Sequence, residues 1–106
     1  MTELGLGNWS PVTPVTLKVI KICIEVMQLI EEKVESKPDS KIYIPVVYSS
    51  QIVQGTNYVV KVLVDEDGDG VCFHAMIYQA LPGDGGKPIL TGIQFPKTFD
   101  DPLIPF

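Results

Sequence analysis

Between residues 19 and 34, apolar side chains return at the three-to-four-residue interval of an α-helix. Val19, Cys23, Val26, Ile30 and Val34 mark the centre of one face, flanked by Ile20, Ile22, Met27 and Leu29. Lys18, Lys21, Glu25, Gln28, Glu32 and Glu35 fall opposite, and Ile24 breaks the pattern toward solvent. Thr13, Pro14 and Thr16 supply start chemistry: hydroxyls that can cap orphan amides, and a proline suited to a first helical position. The segment "SKPDSK" at 36–41 ends the pattern, because Pro38 cannot extend a helix and Asp39 and Ser40 favour a turn. So wide an apolar arc predicts a helix embraced by a curved sheet.

Beyond residue 41 the period changes to two. Ile42, Ile44, Val46 and Tyr48 alternate through "KIYIPVVYSS", then Tyr58, Val60, Val62 and Val64 through "NYVVKVLV". Pro45 disfavours a central position for the first of these strands, at least locally. The turn "DEDGDG" at 65–70 leads to a third strand, "VCFHAMIYQA" at 71–80; the loop "LPGDGGKP" at 81–88 leads to a fourth, "ILTGIQF" at 89–95. The tail "PKTFDDPLIPF" holds too much proline to be a strand throughout. One long helix followed by four sequentially linked strands predicts an α+β fold with an antiparallel meander. Residues 1–106 form one domain, with 1–12 as a Gly-containing, flexible arm.

A chain of 106 residues can bury roughly two-thirds of its unfolded surface, and 45% apolar with 20% charged content supports a core. The formal charge of −5 and the absence of Lys/Arg clusters argue against nucleic acid. The N-terminus "MTELGLGNWS" has neither the basic nor the apolar region of a secretory signal, and the apolar run of the helix is too short and too interrupted to span a bilayer. A cytoplasmic protein with no membrane partner is expected. Two cysteines, Cys23 and Cys72, could form at most one disulfide, fewer than a small secreted domain normally uses.

Candidate chemistry is sparse. Asp65, Asp67, Asp69 and Gly70 match the opening of a calcium-binding loop, but its twelfth position is Met76 and strands flank it where helices are needed. If Tyr58 to Val64 face the helix in alternation, Val71, Phe73, Ala75 and Ile77 are the inward set of the next strand. Cys72, His74, Met76 and Tyr78 then point outward, which sets Cys72 beside His74, the only histidine. A Cys–His pair can be nucleophilic, but no oxyanion hole, orienting third group or cleft is visible around it. Cys23 reads as a small buried hydrophobe. "PGDGGK" lacks the spacing and following helix of a phosphate loop. No enzyme, cofactor or metal site is expected.

What remains is a shared rim. In an antiparallel meander the loop after the first long strand and the loop after the third lie at one end. These are "QIVQG" (51–55) and a loop beginning "LPG" (81–83), both uncharged, and the N-terminal arm can reach the same edge. Such a rim offers apolar tips to desolvate in a partner, with Gly55, Pro82 and Gly83 fixing tight backbone shapes. The alternative is that Ile52 and Val53 pack under their own hairpin.

"QIVQGTNYVVKV" fits the Q-x-V-x-G loop and following strand of the cystatins, and the chain resembles their stefin (type 1) branch. "LIEEK", His74, "LPG", "LTG" and the acidic stretch "DDPLIPF" are similar to stefins over nearly the whole length. The resemblance implies a sheet wrapped around the helix. It also implies a reversible, competitive inhibitor of papain-like cysteine proteases (cathepsins), with a wedge that fills the active-site cleft. The implied contact residues are Gly7 and Asn8 of the arm, Gln51, Ile52, Val53, Gln54 and Gly55 of the first loop, and Leu81, Pro82 and Gly83 of the second. Aligning on "LIEEK" makes Gly7 the family's arm glycine; aligning on Pro11 to Pro14 makes it Gly5. Gln54 is bulkier than the small residue usual before Gly55, and Trp9 is unusual beside Gly7. A monomer is implied, able to exchange strands into a dimer when the first hairpin straightens. The alternative is a non-inhibitory cystatin-fold binding module, with weak calcium binding at 65–70.

Overall fold

The computed structural model describes residues 9–34, 42–65 and 71–106. Thr16 opens the helix as expected: its Oγ1 accepts a hydrogen bond from the Val19 amide at 3.3 Å, which satisfies one orphan donor of the first turn. Pro14 does not sit in that turn. Thr13–Pro14 instead form a two-residue strand, β1, ahead of helix α1 at Leu17–Val34. Val19, Ile22, Cys23, Val26 and Met27 of α1 are buried and Ile24 is exposed, so the face predicted from spacing is the face that packs. The side chains of Ile30 and Val34, expected to continue it, lie outside the described set. The helix is rich in β-branched residues, each weaker than alanine by roughly 0.7 kcal/mol or less. Full burial of a Val or Ile side chain contributes about 1.5–3 kcal/mol, so packing outweighs propensity and holds the helix.

Four long strands follow: β2 (Ile42–Val53), β3 (Gly55–Asp65), β4 (Val71–Gln79) and β5 (Pro88–Thr98). With β1 they make one five-stranded antiparallel sheet in the order β1-β2-β3-β4-β5. Tyr58, Val60, Val62 and Val64 of β3 and Phe73, Ala75 and Ile77 of β4 close on the helix in one core, as their alternation predicts. The α+β architecture and the meander are those expected. The fifth strand was not, since two residues leave no periodic signal.

β2 departs from simple alternation. Its pairing with β3 shifts between Pro45 and Val47, leaving Val46 as an extra residue. The bulge reverses the facing of everything before it. Tyr48 and Tyr43 therefore both pack on the core, Tyr43 edge-on to Phe73 with centroids 6.0 Å apart, while Ile44 is exposed. Ile44 and Tyr48 thus do not share a face as expected. Pro45 is accommodated because β1 reaches only Val47 and Tyr48, so no strand needs an amide from position 45 on that side.

The outer face of the sheet is not bare. Residues 99–106 cross it, and beneath them Val59, Lys61, Cys72 and His74 are buried, with Leu103 buried in the tail itself. Lys61 Nζ donates to the carbonyls of Phe99 at 2.5 Å and Asp101 at 2.7 Å and lies over the Phe99 ring, 5.4 Å from its centroid. The ring of Phe106 rests on Gly92, where a Cβ would stand 3.0 Å from it. Cys72 and His74 do turn away from the helix, but they lie under this strap and not in solvent.

Candidate functional site

Register carries the β2–β3 pairing to the last residues: Gln51 faces Asn57, Ile52 faces Thr56 and Val53 faces Gly55. The expected loop at 51–55 is therefore a tight hairpin tip with Gln54 alone between paired residues. Gly55 makes this possible. Its φ is +107°, a region L side chains rarely adopt, and a Cβ there would lie 2.6 Å from the Gln79 carbonyl and 2.6 Å from the Tyr78 hydroxyl. The Tyr78 hydroxyl donates to the Gln54 carbonyl, so β4 braces the turning peptide directly. Below the tip, Asn57 Nδ2 donates to Gln51 Oε1 at 3.1 Å and ties the first glutamine to the hairpin stem.

The second loop stands beside the first because Gln79, the last residue of β4, pairs with Thr56. Its core is a 3₁₀ turn, Pro82–Asp84, closed by the amides of Asp84 and Gly86 donating to the Leu81 carbonyl at 2.8 and 3.0 Å. Gln79 Nε2 reaches across to the Gly86 carbonyl at 3.2 Å and fastens the loop to its strand. Leu81, Pro82 and Gly83 are all exposed.

The arm approaches from the other side. The Ser10 amide donates to the Ser50 carbonyl at 2.8 Å, the Ser50 amide donates to Ser10 Oγ at 3.0 Å, and Ser49 Oγ donates to the Ser10 carbonyl at 2.5 Å. These bonds set Ser10 against Ser50, the residue before Gln51. Gly7 and Asn8 lie outside the described residues. Among the described residues, sheet order thus sets Ser10 on one side of the first hairpin and the second loop on the other.

Ile52 does not pack under its hairpin; it is 70% exposed, with Leu81 at 45%. Val53 is half-buried, and Gln54 is exposed. None of the described rim residues at 51–55 and 81–83 carries a charge. The sequence pattern anticipated that the two loops share a rim, but not the brace from Tyr78, whose phenol at the end of β4 was the available signal.

The other candidates lose their chemistry. Burial raises the Cys72 thiol pKa, with Lys61 opposing and Asp101 adding to the rise, so the thiolate is disfavoured. His74 is held below its ordinary value, first by burial and then by Lys61 and Lys97, against the pull of Asp101. A buried thiol that resists ionisation, under a strap that blocks access, is a poor nucleophile. Cys23 is pushed up to about 12 by burial in the core. Residues 66–70 of the acidic turn lie outside the described set, and no cluster of three metal-ligating side chains occurs among the described residues. No described helix is long and apolar enough to cross a membrane.

No protein-family model matches the chain. Several known proteins do. Cystatin-B of Oplegnathus fasciatus is 40% identical over 86 residues, 81% of each chain. Stefin-C of Bos taurus is 35% identical over 102 residues, 96% of each chain. Leukocyte cysteine proteinase inhibitor 1 of Sus scrofa is 33% identical over 104 residues, 98% of this chain and 96% of its own. With the same α+β sheet-and-helix architecture and identity at this level over nearly the whole length, the chain belongs to the cystatins, in their stefin branch.

Proposed function

We propose that the chain is a reversible, competitive inhibitor of papain-like cysteine proteases of the cathepsin type, acting as a monomer in the cytoplasm. The family is one of inhibitors and not of enzymes, and one relative is named a cysteine proteinase inhibitor. The observation that carries the proposal is the uncharged rim on which Ile52 and Leu81 stand exposed at the tips of two braced loops.

The mechanism follows from shape and solvation. The hairpin tip at 51–55 and the loop at 81–83 enter the active-site cleft as one wedge, with Gly7 and Asn8 of the arm along the non-primed side. Burying a side chain such as Ile52 in the cleft contributes about 1.5–3 kcal/mol. Loops already braced by Tyr78, Asn57 and Gln79 lose little conformational freedom on binding. The wedge occludes the catalytic cysteine without presenting a peptide bond to it, so no covalent step is involved.

Titrating papain with the purified protein tests this. Stoichiometric loss of activity, restored on dilution and relieved by excess substrate, is expected. Full papain activity at micromolar protein would overturn the proposal and leave a non-inhibitory binding module.

A further inference from the structure

We infer that Tyr78, outside the rim itself, is the positioning residue that holds the first hairpin tip in its binding shape. The inference rests on the inhibitory reading above for its consequence, though not for its geometry. Gln54 is the single residue between the paired Val53 and Gly55, so the peptide joining Gln54 to Gly55 is where the chain reverses. Tyr78 controls that peptide twice. Its hydroxyl donates to the Gln54 carbonyl, and its ring lies flush against Gly55, with Cζ 2.8 Å and the hydroxyl 2.6 Å from where a Cβ would stand. No other side-chain hydrogen bond to Gln54 is found among the described residues. The phenol therefore orients the carbonyl and sets the height of the next Cα together. It comes from the strand that also launches the second loop, so the brace adds to the Thr56–Gln79 pairing that already sets the two loops side by side.

A tip without the hydroxyl would sample carbonyl orientations that do not fit a rigid cleft. Apparent affinity then falls by the fraction of time the tip is competent. That loss belongs to association, because once the tip is bound the cleft itself holds its shape. A direct contact from Tyr78 to the protease would instead appear in dissociation.

The test is Tyr78→Phe, which keeps the ring and deletes the hydroxyl. With papain, association is expected to slow roughly two- to tenfold, the scale of one partly exposed hydrogen bond. The dissociation rate should stay within about twofold. Equal association rates, or a loss confined to dissociation, would overturn the inference. Backbone ¹⁵N order parameters provide a reading independent of any protease. Gln54 and Gly55 should fall from the rigid range near about 0.85 toward the flexible range below about 0.6 in Tyr78→Phe. Unchanged order parameters would also overturn it. If the unaltered protein fails to inhibit papain, the inhibitory reading falls, and the order parameters alone decide the role of Tyr78.

Discussion

Lys61 Nζ sits 2.7 Å from the carbonyl of Asp101, forty residues away, and this contact fastens the C-terminal strap across the outer face of the sheet. The same ammonium also meets the Phe99 carbonyl and is itself buried. Burying a lysine is costly unless its donors are used, and here two carbonyls take them.

Replacing Lys61 with methionine keeps the stem and removes both charge-assisted bonds. Urea unfolding should show a loss of at least about 1.5–3 kcal/mol, the range for one hydrogen bond to a charged group. A change of a few tenths of a kcal/mol would mean that water already shares these carbonyls.

His74 predicts a pH dependence. Its Nε2 is buried with no hydrogen-bond partner among the described residues, and burial, Lys61 and Lys97 lower its pKa against the opposing Asp101. A base with a depressed folded pKa binds its proton more readily when unfolded. Its contribution is thus complete above the unfolded value of 6.5 and is lost as pH falls from there through the folded value. Asp101 is also depressed, chiefly by its hydrogen bond from the Thr98 amide, but its window lies below 3.8. Stability measured between pH 7.5 and 5 should decline in the unaltered protein and decline less in His74→Leu. Parallel profiles would remove His74 from the account.

The thiols lie on opposite sides of the sheet, Cys23 in the helix core and Cys72 under the strap, and no disulfide joins them. Neither should react with Ellman's reagent at neutral pH in the folded protein, and both should react after unfolding without reductant. A native disulfide by mass spectrometry would contradict the observed strand facing.

Two substitutions at the hairpin tip should separate fold from contact. Gly55→Ala forces a Cβ into the Gln79 carbonyl at a strained φ, and should cost about 1–3 kcal/mol of stability as well as inhibition. Ile52→Asp places a charge on an exposed side chain, so thermal stability should hold while papain inhibition falls at least about tenfold, as for a desolvated contact. Inhibition unaffected by Ile52→Asp would move the contact away from this hairpin.

For the arm, Gly7 is proposed as the residue that approaches the protease backbone closely. A bulky residue there should weaken inhibition mainly through faster dissociation, and the same change at Gly5 should matter less. A larger effect at Gly5 would shift the register of the arm by two residues.

The sequence alone determined the helix face, the inward set of β3, that of β4 from Phe73 to Ile77 and the hairpin at 51–55; Val71, expected inward too, is only half-buried and outside the core. A period of 3.6 or 2 in apolar side chains directly records which side is dry. Only the tertiary structure decided the rest. The bulge at Val46 moves Tyr43 inward and Ile44 outward, and alternation is blind to it because one inserted residue changes parity without changing composition. Cys72 and His74 are outward by parity, yet they are buried because a distant strap covers them, and no local pattern states what lies over a sheet's second face. The brace from Tyr78 to Gln54 is of the same kind. It depends on the β3–β4 register, which brings together two residues twenty-four positions apart, and a phenol at a strand end does not announce its acceptor.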